Sequence, residues 1–172
     1  RRKTPYIINI NSTVSPGSFD NELIPFMKSN GLQINLDYEF IYNPYFVALG
    51  DVIKNLESPD FILVGSSSNY STKQIQSIYK KIYKNANFKQ MTLREAELVK
   101  LLVNCYVASK ISFTNFVKNI TENMDLVSLP TILNAIGSDK RIGNNFLRPG
   151  GPFLGPCLPR DIVALTKFCN DN

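Results

Sequence analysis

Residues 92–122 read TLREAELVKLLVNCYVASKISFTNFVKNITE and contain the strongest helical pattern of the chain. It contains no Gly or Pro, and Thr92 and Glu95 have the spacing of a capping box, in which the two side chains satisfy backbone amides at a helix start. The stretch therefore predicts a single helix of about thirty residues. Apolar residues occur nearly all round it, so every side should be buried, and packing against a second copy of the chain is the expected way.

Short apolar runs alternate with helical patterns in the first half of the chain. Strands are predicted over residues 6–10, 39–42 and 61–65, and helices over 18–27 and 72–84. Such alternation is typical of a parallel sheet with right-handed crossovers. These few strands leave an edge that should be paired, so the sheet is expected to be part of a larger one.

The second half is predicted to be all helical. After the long helix, the pattern indicates a helix over residues 125–136, closed by Gly137 as its C-terminal cap, and a last helix over 161–168. A segment rich in Gly and Pro, residues 143–159, separates the two. The predicted fold class is therefore an α/β sheet followed by an all-α region with one long helix.

The chain has 172 residues, of which 44% are hydrophobic and 19% charged, as in folded globular domains. Its lysines are dispersed, so the net charge of +5 indicates a solvated surface rather than a nucleic-acid site. We recognise no signal peptide and no bilayer-spanning stretch, and three cysteines without CxxC spacing indicate reduced thiols. We therefore expect a cytoplasmic protein with no nucleic-acid or membrane partner, and the start at Arg1 rather than Met leads us to expect a longer native chain.

Histidine is absent from the sequence. A Ser-His-Asp triad, a Cys-His pair and a histidine-ligated metal are therefore excluded within this chain, and we expect no metal site. Lys100 and Asn104 are four residues apart on the long helix and share a face, which the small Ala108 continues. Lys100 is interpreted either as a surface residue that snorkels or as a catalytic cation with a polar companion.

Two loops add further candidates. Cys157 lies between prolines, just before a helix predicted to start at Asp161, and a helix N-terminus and Arg160 would both lower the pKa of its thiol. The alternatives for Cys157 are a nucleophile and an inert thiol in a structural loop. The turn over residues 11–17 follows a strand and precedes a helix, the place where ligands bind in doubly wound sheets.

These segments, in this order, resemble the UDP-glucose/GDP-mannose dehydrogenase family of nucleotide-sugar dehydrogenases. The resemblance extends over nearly the whole chain. The matching stretches are residues 11–17, 43–50, 97–100 with Asn104, 110–115, 139–143 and 155–161. The combination of the Lys/Asn helix with the Cys-x-Pro-Arg-Asp loop is specific to this family.

The resemblance implies a partial Rossmann-like parallel sheet over residues 1–90, the end of an NAD-binding domain. Residues 91–172 would then be the central helical domain through which the family forms homodimers, with helix 92–122 at the interface. The glycine fingerprint G-x-G-x-x-G and a third domain do not occur in the printed sequence. The resemblance therefore implies a piece of a longer enzyme, which would be inactive alone.

The family's activity is an NAD-dependent, two-step oxidation of a UDP- or GDP-sugar alcohol to a uronate, for polysaccharide synthesis. By this resemblance, Cys157 would form a thiohemiacetal and then a thioester, and Lys100 would stabilise the oxyanion. Asn104 would orient that oxygen or a water, Asp161 would act as base or position the water, and Thr13 would line the nicotinamide side and contact the water. Arg160 would contribute to cofactor binding. The substrate would be bound by Arg141, Phe153, Gly155, Lys100 and Asn104, with the backbone of 150–155 facing it.

The sequence departs from the family pattern at four positions. Tyr45 and Leu49 stand where relatives have glutamates, Phe116 replaces an acidic residue, and Leu154 replaces a glycine. The loss of the carboxylate at Tyr45 affects proton transfer or water activation. Two alternatives to the enzyme therefore remain: a non-catalytic dimerisation module that retains the family motifs, and an unrelated helical binding protein.

Overall fold

The computed structural model describes residues 4–48, 50–85, 87–150 and 155–171. The chain divides into two compact units, Arg1–Lys100 and Leu101–Asn172. The elements are β1 (Tyr6–Ile10), a π-helical turn (Phe19–Leu23), α1 (Ile24–Ser29), β2 (Tyr38–Tyr42), α2 (Val52–Glu57), β3 (Ile62–Ser66), α3 (Asn69–Ile82), β4 (Phe88–Thr92), α4 (Leu93–Thr121), α5 (Leu129–Ser138) and α6 (Cys157–Asp171).

The first unit contains a four-stranded sheet in the order β1-β2-β3-β4. β1 pairs with β2 in parallel, β3 pairs with β4 in parallel, and β2 pairs with β3 antiparallel. The sheet is therefore mostly parallel, as predicted, and its central pair of strands runs antiparallel. A parallel crossover usually runs through a helix packed along the sheet. The 14-residue α3 has this place between β3 and β4, whereas the helix between β2 and β3 is the six-residue α2.

β4 is a strand that the sequence patterns do not predict. Its residues, FKQMT, alternate poorly, and Lys89 and Gln90 are exposed, because β4 lies at the edge of the sheet. Sequence patterns find buried strands more easily than such polar edge strands. The pairing of β4 covers one edge of β3 over five residues.

Both faces of the sheet are buried at the two central strands, β2 and β3. On one face, the rings of Phe19, Phe40 and Tyr42 pack edge to face, with centroid separations of 5.2 and 5.6 Å from Phe19. On the other face, the side chains of Ile41, Ile62 and Val64 form a cluster with Ile75 of α3. Among the isoleucines of α3, Ile75 is therefore in the core, whereas Ile78 and Ile82 are exposed.

The helical boundaries agree with the sequence for α4 and differ for the later helices. At the start of α4, the backbone N–H and the hydroxyl of Thr92 each donate to Glu95 Oε2 at 2.8 Å, which confirms the capping box. α5 begins after Ser128, which caps it, and Gly137 lies inside α5 rather than at its cap. A Cβ at Gly137 would fall 1.8 Å from Asn144 Oδ1, so close packing explains this glycine.

α6 begins at Cys157, so Asp161 lies inside the helix rather than at its cap. The prediction of a start at residue 161 is wrong. Pro159 lies within the helix because proline is tolerated in a first turn, where its missing N–H has no helical acceptor. Within the described ranges, no helix has both the length and the apolar character needed to cross a membrane.

Candidate active site

Lys100 is a buried cation held by the turn that follows β2. It is 7% exposed, its Nζ donates to the carbonyl of Tyr45 at 2.9 Å, and the same atom lies 4.6 Å from the centre of the Phe46 ring. A carbonyl oxygen and an aromatic face both stabilise an ammonium group. This burial excludes the alternative of a snorkelling surface lysine.

Asn43 anchors the turn that holds Lys100. Its side-chain Nδ2 donates to the carbonyl of Leu63 at 2.6 Å, and Tyr79 donates its hydroxyl to Asn43 Oδ1 at 2.5 Å. Its backbone carbonyl accepts from Asn11 Nδ2 at 2.7 Å. Burial raises the pKa of Tyr79 far above its usual value, as does neighbouring Tyr45, so the hydroxyl of Tyr79 stays protonated and remains a donor.

A small cleft opens beside this turn. Its lining includes Asn43, Tyr45, Tyr79 and Tyr83, and its volume is about 60 Å³. This volume holds a few water molecules, whereas a drug-sized ligand needs about 300 Å³ or more. The described residues of this turn therefore form no cavity that could enclose a nucleotide sugar.

The turn after β1 carries Thr13 and is held at several points. Val14 donates its backbone N–H to the hydroxyl of Tyr42 at 3.4 Å, and the amides of Gly17 and Phe19 donate to Glu97 of α4 at 2.6 and 3.0 Å. Because Glu97 already occupies the amides at this helix start, they are not available as a phosphate cradle. Thr13 itself is half-buried.

In the second unit, Asp161 is completely buried and satisfied by side chains. Asn104 donates Nδ2 to Asp161 Oδ2 at 2.5 Å, and Arg160 donates Nε to Oδ1 at 2.8 Å. The guanidinium of Arg160 also forms an ion pair with Oδ1 at 2.8 Å, and its side chain is 54% exposed. The predicted residues Asn104, Arg160 and Asp161 therefore form one network.

The three thiols of the second unit have different surroundings. Cys157 is exposed at the first residue of α6, and Cys169 is exposed near its end, whereas Cys105 is half-buried. Burial raises the pKa of the Cys105 thiol, and Asp161 and Cys169 act in the same direction. The raised pKa and partial burial make Cys105 a poor nucleophile, whereas Cys157 has the access that a nucleophile needs.

The loop after α5 carries Arg141. The guanidinium of Arg141 binds both carboxylate oxygens of Asp139, with the closest contact at 2.6 Å, and its side chain is 88% exposed. Lys110 Nζ donates to the carbonyls of Ile142 and Gly143 at 3.0 and 3.3 Å, which fixes the loop. Of the remaining predicted residues, Gly155 is exposed with a φ of 100°, and Phe153, Leu154 and Leu49 lie outside the described residues.

Sequence reasoning missed the roles of Glu97, Asn43 and Tyr79. The sequence contains a signal for Glu97, because an acidic residue within the apolar start of a long helix is expected to be buried and to need a hydrogen-bond partner. The Asn-Pro pair after β2 was also visible as a turn signal. The contact of Tyr79 with Asn43 joins residues that are 36 positions apart, and no local pattern predicts it.

Comparison with known proteins identifies the family. Two models of the UDP-glucose/GDP-mannose dehydrogenase family match the chain, the NAD binding domain over residues 2–83 and the central domain over residues 94–172. The UDP-glucose 6-dehydrogenase of Rickettsia prowazekii (strain Madrid E) is 34% identical over 167 residues, which are 96% of this chain and 37% of the relative. The GDP-mannose 6-dehydrogenase of Pseudomonas syringae pv. tomato is 29% identical over 168 residues, with 96% and 38% covered.

The same family appears among solved structures. A UDP-glucose dehydrogenase from the hyperthermophilic archaeon Pyrobaculum islandicum matches with a TM-score of 0.87 at 29% identity, covering 96% of this chain and 37% of that one. The chain thus spans somewhat over a third of the length of its relatives. The Rossmann-like sheet followed by a helical region is confirmed. The chain therefore belongs to the UDP-glucose/GDP-mannose dehydrogenase family, whose cofactor is NAD.

Proposed function

We propose that the complete protein is an NAD-dependent nucleotide-sugar 6-dehydrogenase, which oxidises the 6-hydroxymethyl group of a UDP- or GDP-sugar to a carboxylate. The observation that carries this proposal is α4, which holds a buried lysine, Lys100, and one turn later an asparagine, Asn104, bonded to a buried carboxylate. Buried charges of this kind are costly and are typical of active sites. The names of the relatives agree with this activity.

Thr13 is the residue of this chain that best fits the nicotinamide side of NAD. Thr13 lies on the turn after β1. The backbone amides of Gly17 and Phe19 in the same turn already donate to Glu97 and cannot bind a phosphate, so this turn fits the nicotinamide ring better than a phosphate group. Two NAD molecules, bound one after the other, would each accept one hydride, and loss of the second hydride would convert a thiohemiacetal on Cys157 into a thioester. Arg160 is the second residue that we assign to the cofactor.

Cys157 is the proposed nucleophile. Its Sγ adds to the carbonyl carbon of the sugar aldehyde, and the carbonyl oxygen becomes an alkoxide that takes up the proton lost from the thiol. Water later attacks the thioester carbon, the C–S bond breaks, and the products are a carboxylic acid and the free thiol. The exposed position of Cys157 at the start of a helix supports this role.

Lys100 is proposed to stabilise the oxyanion that forms in each addition. Its ammonium has three donors, and a cation held in a dry environment stabilises developing charge far more than one in water. Asn104 would orient the same oxygen or a water. Asp161, whose oxygens accept from Asn104 and Arg160, fits the positioning of a water better than direct proton transfer, and Thr13 would contact that water.

The remaining substrate contacts are also proposals. Arg141, exposed and charged, fits an anionic group of the nucleotide sugar that reaches it from a partner subunit. Phe153, Gly155 and the backbone of residues 150–155 would contact the sugar. We assign residues 1–90 to the NAD-binding domain and 91–172 to the central domain, in a cytoplasmic enzyme that serves polysaccharide synthesis.

A homodimer through helix 92–122 is part of the proposal. One stripe of α4 consists of Leu102, Tyr106, Phe113, Phe116 and Ile120, which are between 46% and 65% exposed. This exposure supports the expectation that a second copy of the chain covers this side of the helix. An apolar stripe at helical spacing is the kind of surface that a second copy covers.

A specific observation supports the alternative of a dimerisation module without catalysis. Tyr45, at the position where the family pattern usually has a glutamate, presents a backbone carbonyl rather than a carboxylate to Lys100. A chain that lacks this carboxylate could retain the lysine for structure alone. In that case the exposed stripe of α4 would be its functional surface.

The test uses the complete gene product with UDP-glucose, GDP-mannose and NAD. NADH formation is followed for the wild type, for Cys157→Ser and for Cys169→Ser, which changes the other exposed cysteine of α6. We expect loss of carboxylate formation only in Cys157→Ser. Absence of NADH formation in the wild type with every sugar nucleotide tried would favour the dimerisation module.

A further inference from the structure

Glu97 is a buried carboxylate that the proposed reaction does not use. We propose that Glu97 is a positioning residue, which fixes the turn carrying Thr13 so that the start of α4 holds the turns at the carboxyl ends of both β1 and β2. The inference rests on the proposed function, because positioning has meaning only for a site that Thr13 serves.

Both carboxylate oxygens of Glu97 are engaged by backbone amides of one turn. Oε2 accepts from Gly17 at 2.6 Å and Oε1 accepts from Phe19 at 3.0 Å, and the residue is 0% exposed. A carboxylate that accepts from two amides two residues apart fixes the direction of both N–H vectors. Such two-point contacts add geometric specificity as well as energy.

The two amides cannot easily move to other acceptors. Gly17 has a φ of 90°, and a Cβ there would fall 2.7 Å from Asn21 Nδ2, so the backbone has a conformation that favours glycine. Phe19 is completely buried among the aromatic residues of the core. The turn is therefore tied to α4 at its end, while Val14 is tied to Tyr42 next to Thr13.

Lys100 repeats this arrangement with the opposite charge, one helical turn further along α4. Its ammonium holds the carbonyl of Tyr45 in the turn after β2. The start of α4 thus binds the turn after β1 through two backbone amides and the turn after β2 through a backbone carbonyl. Glu97 and Lys100 together set the spacing between Thr13 and Lys100, two residues that we propose to act in one reaction.

The test compares Glu97→Gln with Glu95→Gln in the complete gene product. Gln at position 97 keeps the volume and one acceptor but presents an NH₂ group to the second amide. Glu95 lies two residues earlier and accepts only from Thr92, so Glu95→Gln is a matched control for the chemical change. Glu97→Asp, which is too short to bridge both amides, serves as a milder variant if Glu97→Gln does not fold.

Two measurements are made on each variant. The first is hydrogen exchange of the peptides covering residues 11–20, and the second is the kcat and KM of NAD reduction with the sugar nucleotide. We expect Glu97→Gln to accelerate exchange at the amides of Gly17 and Phe19 at least tenfold and to lower kcat at least tenfold, with KM for the sugar nucleotide within twofold of the wild type. A misplaced group of the active site affects the chemical step in this way.

The outcomes separate the inference from the proposed function. Unchanged hydrogen exchange in residues 11–20 would show that Glu97 does not fix this turn. Faster exchange with an unchanged kcat would show that fixing the turn has no positioning role in the reaction. An equal loss in kcat for Glu95→Gln also overturns the positioning role, since the effect would then come from α4 in general. If the wild type does not reduce NAD, the proposed function fails and the positioning role with it, while exchange alone still decides whether Glu97 holds the turn.

Discussion

Among the residues that the structure describes, each of the two compact units holds one carboxylate residue with no exposed surface, and the two carboxylates are satisfied by different kinds of partner. Glu97 in the first unit accepts from the backbone amides of Gly17 and Phe19. Asp161 in the second unit accepts from the side chains of Asn104 and Arg160. The first carboxylate thus holds the main chain in place, whereas the second organises side chains around itself.

This difference has a physical consequence. Side chains can turn to water when their partner is removed, particularly Arg160, whose side chain is already 54% exposed. Backbone amides inside a tight turn have no such freedom, and a buried N–H that loses its acceptor costs about 1–3 kcal/mol. The two units should therefore respond differently to the same truncation.

The largest expected effect is the contrast between Glu97→Ala and Asp161→Ala. Glu97→Ala leaves two buried backbone N–H groups without an acceptor and should lower the free energy of unfolding by about 3 kcal/mol. Asp161→Ala releases side chains that water can reach and should cost about 1 kcal/mol. Urea unfolding of both variants and the wild type measures the contrast, and equal losses would show that the kind of partner does not matter.

The second prediction concerns pH. Burial raises the pKa of Glu97, and Asp20 acts in the same direction, whereas the amides of Phe19 and Gly17 and the charge of Arg94 lower it. Because the pKa in the folded state lies above that in the unfolded state, stability should fall as pH rises from the ordinary glutamate range through the raised value. Glu97→Gln should remove this slope, and a slope that persists in this variant would assign it to another group.

A smaller loss of unfolding free energy is expected at the turn after β2. This prediction tests whether a single side-chain hydrogen bond stabilises a main-chain turn. Tyr79→Phe removes the hydroxyl that donates to Asn43 Oδ1 and should cost about 1 kcal/mol of unfolding free energy. Tyr70→Phe is the control, because Tyr70 is an exposed tyrosine on the same helix, α3. An equal or larger loss in Tyr70→Phe than in Tyr79→Phe would contradict this assignment.

The smallest effect concerns the thiols around Asp161. A thiol reagent near neutral pH should label Cys157 faster than Cys169 and several-fold faster than Cys105, whose pKa is raised by burial and by Asp161. Asp161→Asn should modestly accelerate labelling of Cys105. Peptide mass spectrometry measures the rates, and equal slow labelling at all three sites would remove the case for a tuned nucleophile at Cys157.

The parts of the fold that depend on local signals are predictable from the sequence. The start of α4 follows from Thr92 and Glu95, and the turns at Asn11 and Asn43 follow from strand and turn patterns. The edge strand β4 and the antiparallel pairing of β2 with β3 are not predictable in this way, since both depend on which strands meet in space.

The residues of the candidate site can be predicted from their types, whereas their hydrogen-bond partners cannot. Lys100 stands out because lysine is rare in an apolar helix, but its acceptor, the carbonyl of Tyr45, lies 55 residues away. Asp161 is expected at a helix cap and lies inside α6, because the first turn of that helix tolerates Pro159. Glu97 belongs to a sequence motif, and its two amide partners, about 80 residues earlier, follow only from the folded structure.

The stoichiometry of the reaction in the complete gene product tests the proposed mechanism most directly. The amounts of NADH and of sugar carboxylate formed from a limiting quantity of UDP- or GDP-sugar are measured together. We expect two NADH for each carboxylate, with no free aldehyde, because the aldehyde is captured by Cys157. One NADH with accumulation of the aldehyde, or no NADH with any of these sugars, would contradict the mechanism.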